Sequence, residues 1–188
     1  MGYILSEEGS ELVSTVREFC ENEVKEQCKS FDESGEFPAE IVRQGAEMGL
    51  SALEVPEEYG GVGIDAVTCA AICEEMAYAD AGFYTTMSAS GLALRPVLIA
   101  GNEEQKKWAC DVLLNGGHAA FGLTEPGAGT DAQGQQTKAV FDEATNEWVL
   151  NGSKCFITNG KYADVYIVIA VTGKVEKRGR MMKEISAF

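Results

Sequence analysis

The hydrophobic pattern of the chain changes period once, near residue 117. From Ser6 to Phe31 the apolar positions Leu12, Val13, Val16, Phe19, Cys20, Val24, Cys28 and Phe31 recur every three or four residues. That spacing lays one apolar stripe along a helix and leaves the opposite face to acids. Ser6 followed by Glu7 and Glu8 is a helix start: a capping hydroxyl, then two carboxylates at the positive end of the helix dipole. A second, short helix is predicted from Pro38 through Ile41, Val42 and Met48 to Gly49. The stretch from Leu53 to Gly61 is turn-rich and irregular, and a third helix runs from about Asp65 to Ala79. The segment Gly82–Leu94 is nearly uncharged and apolar all round, so it is read as a central helix. Asn102, with Glu103 and Glu104, opens a fifth that continues through Trp108 and Leu113 to the Gly116-Gly117 stop.

Beyond residue 117 the period becomes two. Ala119–Leu123, Thr137–Phe141, Glu147–Leu150, Lys154–Ile157 and Val165–Thr172 read as strands rich in aromatic and β-branched residues. Asn151-Gly152 signals a type I′ hairpin between two of them. Lys174 to Lys183, five cations and one acid, reads as a solvated loop, and Ile185–Phe188 as the opening of one more strand. The predicted fold class is α+β and multidomain. An all-α N-terminal domain, residues 1–117, precedes an antiparallel β unit, residues 118–188, which ends within an element.

Charge sharpens that division. Residues 1–117 carry 7 basic and 22 acidic side chains; residues 118–188 carry 8 of each, so the whole net charge of −15 belongs to the helical part. Such a balance argues against nucleic acid or an anionic membrane as partner, since both require clustered cations. An acidic surface is ordinarily a solvated one, with docking of a basic partner as the alternative. Met1-Gly2 with Ser6 fits a short myristoylation pattern, but the helix cap accounts for Ser6 more simply. The longest uncharged helical run, Ala81–Leu94, has 14 residues, short of the ~20 a membrane span needs. The six cysteines form no C-x-x-C pair, and the single His118 completes no usual zinc set; His118, at the domain junction, is read as structural. Scattered thiols and an N-terminus without signal or transit character place the chain in the cytoplasm, of a bacterium rather than in a mitochondrial matrix.

Two segments match the relaxed dinucleotide pattern G-x-G-x-x-A: Gly61–Ala66 and Gly127–Ala132. The pattern works only between a buried strand and a helix, where pyrophosphate meets the helix N-terminus. The first lacks the strand, and the second leads into a strand pattern, so neither is a Rossmann site. The longer run Gly122-Leu123-Thr124-Glu125-Pro126-Gly127-Ala128-Gly129-Thr130-Asp131-Ala132-Gln133-Gly134 is more specific. It resembles, without a departure, the middle-domain signature of the acyl-CoA dehydrogenase flavoenzymes. Further likenesses follow in the family's order: Val55–Gly61, Gly101–Lys106, Asn151–Gly160 and Ile185–Phe188.

The resemblance implies an incomplete antiparallel β-barrel as the middle domain, with the family's C-terminal helical bundle absent from these residues. It implies FAD as cofactor, acyl-CoA as substrate, an electron-transfer flavoprotein as electron acceptor, and homo-oligomers for full-length members. The cofactor-facing residues it assigns are Phe121, Gly122, Leu123, Thr124, Gly129, Thr130, Phe156, Ile157 and Thr158, with Thr130 also touching substrate. Elementary chemistry agrees with that assignment. Glycines let backbone amides approach a ligand closely, and hydroxyls of Thr124 and Thr158 can donate to or accept from the edge of an isoalloxazine ring. Phe156 stands where many members carry Trp, which keeps an aromatic face and loses the indole N–H. Glu125 is a tempting general base, but the family does not use that position so; Asp131 is read as a loop-organising Asx residue. In the family a Glu from the third, helical domain removes the α-proton while hydride passes to the flavin, and this chain stops before that domain. No catalytic residue is therefore assigned. Two classes stay open: part of an FAD-dependent acyl-CoA dehydrogenase or related flavin oxidase, or a non-catalytic remnant that at most binds flavin or a partner.

Overall fold

A computed structural model describes residues 4–177 and 179–188; Met1–Tyr3, with the Met1-Gly2 start of the myristoylation pattern, and Arg178 lie outside them. Helix α1 (Glu7–Phe19) starts where Ser6 Oγ accepts the Gly9 amide at 3.0 Å. The long helix predicted to Phe31 is continuous but not uniform, because a π-helical turn (Cys20–Val24) separates α1 from α2 (Lys25–Ser34). The sequence explains the turn. Val16, Cys20, Val24 and Cys28 are spaced by fours, which drifts by about 40° per step on a 3.6-residue helix. One wider turn returns them to a single buried face.

Helix α3 (Ala39–Glu47) follows Pro38, and α4 (Ala66–Ala79) starts at Asp65, whose carboxylate accepts the Val67 and Thr68 amides at 2.8 and 3.1 Å. Helix α5 (Ala81–Ala100) is capped by Asp80 and is longer than its apolar run, continuing past Leu94 through Arg95 and Pro96. Its last turn survives the proline because Val97 and Leu98 pack against the core, and because Arg95 pairs with Glu54 across the fold at 2.8 Å. Helix α6 (Glu103–Leu114) carries the reciprocal Asn102/Gln105 capping box.

The strands are β1 (Ala119–Gly122), β2 (Lys138–Asp142), β3 (Glu147–Asn151), β4 (Val165–Lys177) and β5 (Arg180–Ala187). The spine is β4. Its first half pairs in parallel with β1, Ala119 opposite Val165, and its length from Ile169 onward pairs antiparallel with β5. Strand β2 meets β4 in parallel at Lys138 and Val171, and pairs antiparallel with β3. The sheet is therefore mixed rather than purely antiparallel, because the chain returns through the β2–β3 hairpin before β4 enters alongside β1.

Three local expectations are corrected. Lys154–Ile157 is not a strand: Phe156 and Asn159 adopt φ of 56° and 62°, which no extended ladder tolerates. The hairpin turn falls at residues 143–146, with Asn146 left-handed, and not at Asn151-Gly152. Gly152 is needed for another reason, since a Cβ there would lie 2.3 Å from Thr137 Oγ1. Lys174–Lys183 is no loop but the β4–β5 ribbon, turning at Gly179 with φ of 73°. Lys174, Glu176 and Arg180 stay exposed there, so cross-strand pairing with no apolar alternation makes the strands.

Two apolar cores hold the molecule. One joins Val13, Val16, Ile41, Ile72, Phe83 and Met87 within the helices. The other joins Ala93, Leu94, Cys110 and Leu113 of α5 and α6 to Ala119, Val165 and Ile167 of β1 and β4. The second core seats α5 directly on the sheet, which is what gives the site below its second wall.

Candidate functional site

Chain segments on either side of the β2–β3 hairpin meet beside β1. The Cys155 amide donates to the Thr124 carbonyl at 2.9 Å. The Lys154 ammonium donates to the Leu123 carbonyl at 3.0 Å, to Glu125 Oε1 at 2.8 Å and to Gln135 Oε1 at 3.1 Å. Glu125 also accepts the Gln136 and Thr137 amides at 2.6 and 2.9 Å, and its backbone closes a tight turn with Ala128. Burial disfavours the Glu125 carboxylate, yet the Lys154 ammonium and these donors prevail and hold its pKa down at about 2. It is an ionised scaffold group whose lone pairs are engaged, not a base aimed at a ligand.

A cavity of about 160 Å³ opens next to this corner. Its walls are Phe121, Phe156 and Thr158 from the β part and Thr85, Ser88, Ala89 and Leu92 from α5. Phe156 is 95% exposed with its backbone at a φ of 56°, an uncommon state for an aromatic residue. The segment is clamped by Asn159, whose side-chain amide donates to the carbonyls of Thr86 at 2.9 Å and Ala119 at 3.3 Å. The Ala119 amide in turn donates to buried Ser90 Oγ at 3.1 Å, so α5, β1 and residues 156–159 form one rigid corner. The hydroxyls of Thr85 and Ser88 donate back to their own helix, to Ala81 and Thr85 carbonyls.

The predicted site residues divide into groups. Phe121, Phe156 and Thr158 share the cavity, and Leu123 and Thr124 are bonded into the same corner through Lys154 and Cys155. Gly122 is buried beneath them, and half-buried Ile157 accepts the Gly160 amide through its carbonyl. Gly129 and Thr130 stand apart on an exposed loop. Neither Gly127 nor Gly129 has a positive φ, and open space lies where a Cβ would go on each. Asp131 does not act through its carboxylate as an Asx residue; its carbonyl accepts the Gly134 amide instead. Among the described residues His118 Nδ1 is buried without a partner, and burial pushes its pKa down against the pull of Asp164.

Sequence reasoning missed the α5 wall and the role of Lys154. The hydroxyls at Thr85 and Ser88, interrupting an otherwise apolar helix, were the available signal for the first. A larger cavity of about 360 Å³, lined by Val97, Trp108, Tyr166 and Phe188 among others, contains no predicted site residue and little polar chemistry. Among the described residues no three of His, Cys, Asp or Glu gather as metal ligands, and no helix is long and apolar enough to cross a membrane.

A helical domain seated on a partly mixed sheet, with a cavity at their junction, is an α+β two-part architecture, and known proteins share it. The model of the acyl-CoA dehydrogenase N-terminal domain matches residues 6–116, and that of the acyl-CoA dehydrogenase middle domain matches residues 120–186. The chain belongs to the acyl-CoA dehydrogenase family. It is 39% identical over 176 residues to Probable acyl-CoA dehydrogenase YngJ of Bacillus subtilis (strain 168), covering 93% of this chain and 46% of that protein. Butyryl-CoA dehydrogenase from Megasphaera elsdenii superposes with a TM-score of 0.84 at 35% identity, over 99% of this chain and 50% of that one. Acyl-CoA dehydrogenase complexed with FAD from Bacillus anthracis gives 0.82 at 38% identity, over 98% of this chain and 31% of that one. The chain thus spans about half the length, or less, of these relatives.

Proposed function

We propose that this chain forms the flavin-facing half of an FAD-dependent acyl-CoA dehydrogenase site, whose electrons pass to an electron-transfer flavoprotein. The observation that carries the reading is the shared cavity of Phe121, Phe156 and Thr158, with the carbonyls of Leu123 and Thr124 bonded to Lys154 and Cys155 just before Phe156. An FAD ring fits the donor set: an aromatic face at Phe156 kept free of protein contacts, flanked by threonine hydroxyls. Open space beside Gly127 and Gly129 lets backbone amides reach ligand oxygens. When bound, FAD supplies the hydride acceptor; the residues of this chain orient its ring and exclude water from one side of it.

Abstraction of the substrate's α-proton needs a carboxylate within hydrogen-bond reach. The cavity is lined by hydroxyls and apolar groups with no carboxylate, and Glu125 is committed to Lys154. Among the described residues no lining group of this cavity can serve as that base, and we take acyl-CoA as the substrate of the whole site rather than of this part alone. The family likeness supports acyl-CoA, while the missing carboxylate favours binding without turnover for the isolated chain.

Residues 1–188 equilibrated with FAD and desalted test the reading by their visible spectrum. Retained flavin absorbance that falls in Thr124→Val and Thr158→Val variants is expected, with no bleaching by butyryl-CoA under argon. Absence of any retained flavin overturns the cofactor assignment, and rapid bleaching overturns the reading that this cavity lacks a base.

A further inference from the structure

The Lys154 side chain is only 11% exposed, and its ammonium has three N–H donors and three acceptors: Leu123 O, Glu125 Oε1 and Gln135 Oε1. No donor remains for an incoming anion, so this buried cation is not a phosphate ligand. Its position is more telling. Leu123 immediately precedes Thr124, and Lys154 is two residues from Phe156, so one nitrogen is tied within two residues of both proposed flavin-contacting segments. Glu125 extends the tie by holding the Gln136 and Thr137 amides, and Lys183 adds a brace through the Gly134 and Gln135 carbonyls at 3.2 and 2.6 Å.

We infer that Lys154 is a positioning residue that locks the Leu123–Thr124 and Phe156–Thr158 segments in register before any cofactor binds. The inference rests on the flavin reading above for its consequence, but the lock itself is made entirely by groups of this chain. Buried ion pairs add little to stability against well-packed apolar groups; here the pair joins the two segments proposed to face the flavin. Holding the wall before binding removes an ordering cost that FAD affinity would otherwise bear.

Hydrogen exchange by mass spectrometry on ligand-free protein, paired with FAD titration, tests the lock. In Lys154→Met the amides of Gln136, Thr137 and Cys155 are expected to exchange at least about tenfold faster, with α4 and α5 unchanged. FAD affinity is expected to fall by about tenfold, with partial rescue by Lys154→Arg, which keeps the cation. A Glu125→Gln, Lys154→Met double variant, which leaves no orphaned buried charge, is expected to show the same local loss and serves if the single variant does not fold. Unchanged protection at those amides overturns the lock, as does loss of protection throughout the molecule, which would mark Lys154 as generally structural. Local loss in Lys154→Met, together with wild-type protein that binds no FAD, leaves the lock standing and removes the flavin reading.

Discussion

Replacing Phe156 separates backbone strain from the work of its ring. At a φ of 56° an L-residue carries a penalty of ~1–2 kcal/mol that glycine does not. The ring is 95% exposed, so truncation removes only about 10 Å² of buried surface, roughly 0.3 kcal/mol. Phe156→Ala loses that small contact and keeps the strain. Phe156→Gly loses the same contact, relieves the strain, and adds an unfolded-state entropy cost of ~0.5–1 kcal/mol. The glycine variant is therefore expected to exceed the alanine variant by up to ~1.5 kcal/mol in urea unfolding at equal slope, the reverse of their order at an ordinary position. Both variants are expected to lose flavin retention, because neither presents a ring. A glycine variant clearly less stable than the alanine variant would show that no strain is stored there.

Further outcomes follow from the same corner. Ser90→Ala leaves the buried Ala119 amide without an acceptor and should cost ~1–3 kcal/mol in thermal or urea unfolding, whereas Ser90→Thr, which keeps the hydroxyl, should cost less. Glu125 has a folded pKa depressed from 4.5 to about 2, so its stabilisation is fully present above pH 4.5 and is lost as pH falls toward 2. Calorimetric Tm against pH should fall steeply across that window in the wild type and less so in Glu125→Gln. His118 also has a depressed pKa, so its contribution is present above about 6.5 and weakens on acidification; His118→Gln should flatten that limb of the same curve.

Helices were legible because their apolar spacing and caps are local. Ser6, Asp65 and Asn102 each cap the helix that their position starts, whereas the π-helical turn was not foreseen, although the four-residue steps after Val16 account for it. Strand pairing was less so. The parallel contact of β1 with β4 depends on where a distant return enters the sheet, and the charged β4–β5 ribbon exists through pairing that its composition conceals. Asn151-Gly152 has the composition of a hairpin, but the close approach of Thr137 uses its glycine differently. At the site, Phe121, Phe156 and Thr158, which the family resemblance assigned to the cofactor, line one cavity. The α5 wall was hidden because Thr85 and Ser88 look like ordinary helix residues until the second core seats α5 on β1. Lys154 was hidden because a lysine beside a turn reads as solvated, whereas here three carbonyl or carboxylate oxygens surround it.

Amide chemical-shift mapping of the ¹⁵N-labelled chain during FAD titration tests the flavin wall most directly. Concerted, saturable shifts at Phe121, Thr124, Phe156 and Thr158 are the predicted result. Shifts confined to the apolar hollow around Trp108 and Tyr166, or at only one of the two peptide segments, would contradict it.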